Sequence, residues 1–111
     1  MIAEKQRDFK TAREWYFKSL AIWEKEGDRH GAASISGQLG IIAGLQGRFT
    51  EGGGWLTRCI ASFKEIHDEL GADRNIANFQ LLHRHASPED KQKLEAIWRE
   101  AKLGPFPTER N

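Results

Sequence analysis

Apolar residues in this chain recur at spacings of three and four. Phe9, Ala12, Tyr16, Leu20 and Trp23 lie on one face of a helix. Trp15 and Ile22 form a second strip, so this helix is adhesive on more than one side. Gly27 is placed as its C-terminal cap, and Asp28 can start a second helix. That helix buries Ala32, Ile35, Leu39, Ile42 and Ala43 and ends at Gly47. A third helix carries Trp55, Leu56, Cys59, Ile60, Phe63 and Ile66 and is predicted to close at Gly71. A fourth is predicted to begin near Asp73, with Ile76, Ala77, Phe79, Leu81 and Leu82 as its apolar content. "HASPED" is a break and restart: Ser87 as N-cap, Pro88 at the first helical position, Glu89 and Asp90 in the first turn. The fifth helix runs through Leu94, Ile97, Trp98 and Ala101 to Gly104-Pro105. Residues 105–111 read as a flexible tail. The alternation of a half-buried strand is absent, so the fold class is all-α.

Three glycines interrupt this pattern. Gly52, Gly53 and Gly54 fall where the third helix is predicted to start. A phosphate cradle needs a strand before the glycines or a Lys-Ser/Thr after them; here a helix precedes and Trp55-Leu56 follows. Inside a helix each glycine costs about 1 kcal/mol against alanine, so a soft first turn is expected.

Length and charge narrow the function classes. A chain of 111 residues fits one domain with a modest core. Its 17 basic and 16 acidic residues leave a net charge of +1, and neither sign collects in one half. The basic face that phosphate backbones and anionic membranes require is missing, so neither nucleic acid nor a membrane is expected as a partner. No apolar run is long enough to span a membrane, and no signal-peptide core is seen. The single cysteine, Cys59, cannot form an internal disulfide, which points to a reducing, cytoplasmic setting.

The helices repeat. "RDFKTAREWYFKSLAIW" from Arg7 aligns with "GRFTEGGGWLTRCIASF" from Gly47, an offset of 40 residues (47 − 7). Phe9 meets Phe49, Ala12 meets Gly52, Trp15 meets Trp55, Ser19 meets Cys59, Leu20 meets Ile60 and Trp23 meets Phe63. A period of this length marks a helical solenoid. The stretch from Gly27 to Phe63 resembles a tetratricopeptide repeat of the longer kind seen in kinesin light chains and bacterial signalling proteins. Leu39-Gly40 matches the family's pair in the first helix, and Gly47 and Phe49 match its turn. Gly52, Leu56 and Cys59 take the small, aromatic-or-Leu and small positions of the second helix; Phe9, Ala12, Tyr16 and Ser19 fill the same places one unit earlier. The family's closing proline is missing from both units, and the third unit, "GADRNIANFQLLHRH", lacks Leu-Gly.

The resemblance implies one domain over 1–104: a partial repeat (1–27), a repeat (28–70) and degenerate capping helices (71–104). It implies antiparallel hairpins stacked as a short right-handed superhelix, without catalysis, that binds a protein or peptide in a concave groove. Ser34, Gly37, Gln38, Ile41 and Leu45 would line that groove, with Asn75 and Asn78 from the next unit. It also excuses Gly52, which sits where helices cross closely, and leaves Gly53 and Gly54 unexplained. Two other readings compete. One is a purely structural or oligomerising piece of a larger signalling protein; the other is a small helical enzyme or metal protein built on the histidines.

Little else signals chemistry. His83 and His85 flank Arg84, but residues two apart on a helix point about 200 degrees from each other, which suits no shared metal. Cys59 lies at the repeat's small-residue position on the apolar face and is expected to be packing, not a nucleophile. Catalytic, cofactor and metal residues are therefore not assigned. The N-terminal helix is expected to self-associate as a homodimer through Phe9, Trp15, Phe17 and Ile22, because the first helix of its own unit is missing and its outer strip lacks a cover.

Overall fold

The computed structural model describes residues 2–108, with side chains from residue 8 onward. Five helices follow one another: α1 (Ile2–Glu26), α2 (Arg29–Leu45), α3 (Phe49–Glu65), α4 (Glu69–His85) and α5 (Pro88–Glu100). No strand occurs among the described residues. The end of the tail, residues 109–111, lies outside the described residues.

The 40-residue offset is physical. The helices α2 and α4 start 40 residues apart, at Arg29 and Glu69, and end 40 apart, at Leu45 and His85. The turns before them are built alike. In the first, Asp28 N–H donates to Trp23 O at 2.9 Å and Gly27 N–H to Glu24 O at 3.2 Å. In the second, Asp68 N–H donates to Phe63 O at 2.9 Å and His67 N–H to Lys64 O at 3.1 Å. This paired closure places one residue in the left-handed region. Gly27 fills that place at φ 74°, and His67 fills it at φ 60°. The next residue caps the following helix: Asp28 accepts from Gly31 N–H at 2.8 Å, and Asp68 from Gly71 N–H at 2.9 Å. The aromatic before each turn then lies on the new helix. A Cβ at Gly31 would stand 2.7 Å from the Trp23 ring, and one at Gly71 2.6 Å from the Phe63 ring.

These turns correct two predicted boundaries. Gly71 does not close the third helix; it lies in the first turn of α4, where Phe63 leaves no room for a side chain. The fourth helix begins at Glu69, behind the Asp68 cap, and not near Asp73. Likewise α3 starts at Phe49, so the three glycines sit inside it.

Small residues let α2 and α3 approach. A Cβ at Gly40 would lie 3.0 Å from Gly52 O, and one at Gly52 2.9 Å from Gly40 O. The core continues through Leu56, Cys59, Ile60 and Phe63 of α3 to Phe79 and Leu82 of α4 and Leu94 and Trp98 of α5. Phe79 and Leu94 are wholly buried, each worth about 1.5–3 kcal/mol of apolar transfer. Gly53 has a role the sequence did not show: its Cβ would collide with Leu94 Cδ2, so α5 seats against bare backbone. Gly54 faces open space.

The segment after α5 is docked, not free, over 105–108. Trp98 Nε1 donates to Gly104 O at 3.0 Å and Pro105 O at 3.2 Å. Phe106 packs against Phe79, His83 and Trp98, and Gln80 Nε2 donates to Pro107 O at 3.3 Å. The indole N–H needs a partner when buried, and the chain folds back to supply one.

Candidate functional site

Between α2 and α4 lies an open apolar groove of about 330 Å³. One wall is Gly40, Ile41, Gly44 and Leu45 of α2; the other is Asn78, Leu81, Leu82 and His85 of α4; Phe49 and Leu56 of α3 form the floor. The shape follows from the sequence. Gly40 and Gly44 present no side chains, so the α2 wall is low; a Cβ at Gly44 would stand 2.8 Å from Leu82 Cδ1. Helices α2 and α4 stand side by side with α3 behind them. Leu45 and Leu81 stand at the rim, 64% and 47% exposed, where neither is needed to fill the core. Polar groups are few: the Asn78 amide and the His85 ring. An apolar recess with a small number of polar groups is the usual form of a recognition site.

Of the seven groove residues expected from sequence, three line this recess: Ile41, Leu45 and Asn78. Ser34 and Gln38 continue the same stripe toward the N-terminus of α2, Gln38 exposed, but lie outside the recess. Gly37 and Asn75 are corrections. Both are buried, and a Cβ at Gly37 would lie 2.9 Å from Asn75 Oδ1 and 3.0 Å from Cys59 Sγ. Asn75 is committed internally: its Nδ2 donates to Gly71 O at 2.9 Å and its Oδ1 accepts from Asn78 Nδ2 at 3.3 Å. Both bonds lie within α4, so Asn75 orients Asn78 while its amide packs against Gly37 of α2. Sequence reasoning missed the other lining residues, Gly40, Gly44, Phe49, Leu56, Leu81, Leu82 and His85, although the 40-residue offset maps Ile41 onto Leu81 and Leu45 onto His85 and could have found two of them.

The ionisable groups are scattered. His83 Nε2 lies 3.0 Å from Glu95 Oε2 with its ring on Phe106, whereas His85 turns into the groove, so the two histidines face different ways. His30 sits 3.4 Å from Asp68 Oδ2 and edge-on to Phe63. Among the described residues no three His, Cys, Asp or Glu side chains converge. Cys59 is buried, and burial pushes its thiol up to about 12, against a smaller opposing pull from the Gly37 backbone.

No family model, curated protein or solved structure matches this chain. No helix among the described residues is long and apolar enough to cross a membrane.

The self-association residues separate into two pairs. Trp15 and Ile22 are 68% and 55% exposed. Phe9 is half-buried, and Phe17 is 40% exposed yet engaged on one side: it meets Trp55 edge-on at 5.7 Å, with the Arg13 guanidinium 5.3 Å from its ring.

Proposed function

We propose that this chain is a short tetratricopeptide-type hairpin stack, non-enzymatic and cytoplasmic, that binds a protein segment in the groove between α2 and α4. The observation that carries the reading is the recess itself. Two leucines, Leu45 and Leu81, flank an apolar hollow large enough for one bulky side chain, with Asn78 and His85 at hand for the backbone beside it. An extended or helical segment that inserts a Leu, Phe or Trp anchor would bury that rim and satisfy its neighbouring amides on Asn78. The two like-built turns and the close α2–α3 crossing at Gly40 and Gly52 support the repeat assignment. A right-handed superhelix is the sense in which such units stack. Cys59, buried and reluctant to ionise, fits a packing role better than a nucleophilic one.

Selection of a displayed random-peptide library on the protein tests this, with Leu45→Glu and Leu81→Glu as counter-targets. Enriched peptides should share one large apolar anchor and lose binding to both variants. Failure to enrich any sequence above background, or enrichment indifferent to both substitutions, would contradict it.

A further inference from the structure

The outer flank of α1 carries an exposed strip, apart from the groove. Asp8, Thr11, Trp15, Lys18, Ile22 and Lys25 follow one another at alternating spacings of three and four, and all six are exposed. Placed on a heptad, Asp8, Trp15 and Ile22 fall at one core position and Thr11, Lys18 and Lys25 at the other; only Trp15 and Ile22 are apolar, so the pairing of the polar positions decides what this strip can face. The helix turns other side chains inward: Leu20 is buried, and Ala12, Tyr16, Ser19 and Trp23 are half-buried. The α1 ion pairs also lie off the seam, Arg13 with Glu51 and Glu24 with Arg58, each at 2.7 Å. Among the described residues none of the six seam side chains has a hydrogen bond or ion pair.

The seam is complementary to itself when reversed. In an antiparallel pair each position of one kind faces one of the other kind. A single register, in which facing residue numbers sum to 33, satisfies all three layers: Asp8 faces Lys25 (8 + 25), Trp15 faces Lys18 (15 + 18) and Ile22 faces Thr11 (22 + 11). The first is an opposite-charge pair. The second sets an ammonium and its methylene stem on an indole. The third places a β-branched apolar side chain on a methyl group. Twofold symmetry repeats each contact.

We propose that α1 is a homodimerisation helix, pairing antiparallel with α1 of a second copy through this seam. A parallel pair would set Asp8 on Asp8 and Lys18 on Lys18, so charge selects the reversed arrangement. One helix pair lies at the small end of interfaces that hold, and dissociation on the order of tens of micromolar is expected.

Sedimentation equilibrium on the full 111-residue chain, from about 5 to 300 µM by that expectation, reads the association. Wild type should show a monomer–dimer equilibrium, and Trp15→Ala should abolish it. Asp8→Lys and Lys25→Asp should each weaken the dimer by about tenfold or more, since each places like charges at both ends of the pair. The double variant Asp8→Lys/Lys25→Asp should restore it, and an equal mixture of the two single variants should associate as a heterodimer. Unchanged melting temperatures would show that the exposed substitutions leave the fold intact. A monomer across the range, a dimer indifferent to the charge changes, or a double variant as weak as the single ones would each overturn the proposal.

Discussion

Gly53 of α3 lies directly beneath Leu94 of α5, so closely that a methyl carbon on the glycine would collide with Leu94 Cδ2. Gly54, one residue on, faces open space. Two adjacent glycines in one helix therefore have opposite expectations. Gly54→Ala should stabilise the protein by about 0.5–1 kcal/mol, the ordinary helix-propensity gain. Gly53→Ala should destabilise it by about 1–3 kcal/mol, because a buried leucine must leave its rotamer or push α5 away. Chemical denaturation of the two single variants checks this. Equal gains in both would show that α5 does not seat as described.

His67 holds a left-handed conformation, φ 60°, at the place where the earlier turns use Gly27 and Gly47. That conformation strains a side-chain-bearing residue by about 1–2 kcal/mol. His67→Gly should raise stability by up to about 1 kcal/mol, the rest being lost to the glycine's freedom in the unfolded chain. A destabilised variant would mean that the imidazole makes a contact outweighing the strain.

This residue also explains where sequence reading stopped. Gly27, Asp28, Gly47, Ser87 and Pro88 are punctuation any chain can be read by, and the helix ends beside them were legible. His67 performs a glycine's task without being one, so the eye passes to Gly71 and the boundary slips. Gly71 and Gly53 are glycine for another reason, an aromatic or leucine packed on them from a distant part of the chain, and such contacts leave no local mark. The docking of Phe106 is of the same kind. In the groove, Ile41 and Leu45 came from the resemblance to a repeat family and not from the apolar pattern itself. Gly37 and Asn75 lie on the adjoining face, where one more turn of packing decides between lining a groove and closing an interface.

Phe106 is the test of that C-terminal docking. It touches Phe79, His83 and Trp98 and is only half-buried. Phe106→Ala should cost about 1–2 kcal/mol, less than the loss of a fully buried aromatic. Removing residues 105–111 should cost at least as much, since Trp98 Nε1 also loses its Pro105 acceptor. A truncated chain as stable as the full one would show that the segment contributes nothing.

Cys59 should resist thiol reagents while the protein is folded and react quickly in denaturant. Its pKa is raised from 9.0 to about 12, so the folded chain keeps the thiol proton after the unfolded chain has released it. Stability from this group is therefore unaffected below about pH 9 and falls as pH rises from there toward 12. Labelling near pH 8 should follow the rate or population of unfolding, and fast native labelling would put Cys59 outside the core.

The most direct measurement of the central claim is a backbone-amide shift map of the 15N-labelled protein, titrated with a peptide recovered by selection. The account expects saturable shifts centred on Ile41, Leu45, Phe49, Asn78, Leu81 and His85, with Leu81→Glu abolishing them and Trp15→Ala leaving them intact. Shifts centred on α1, or spread without a focus on α2 and α4, would contradict it.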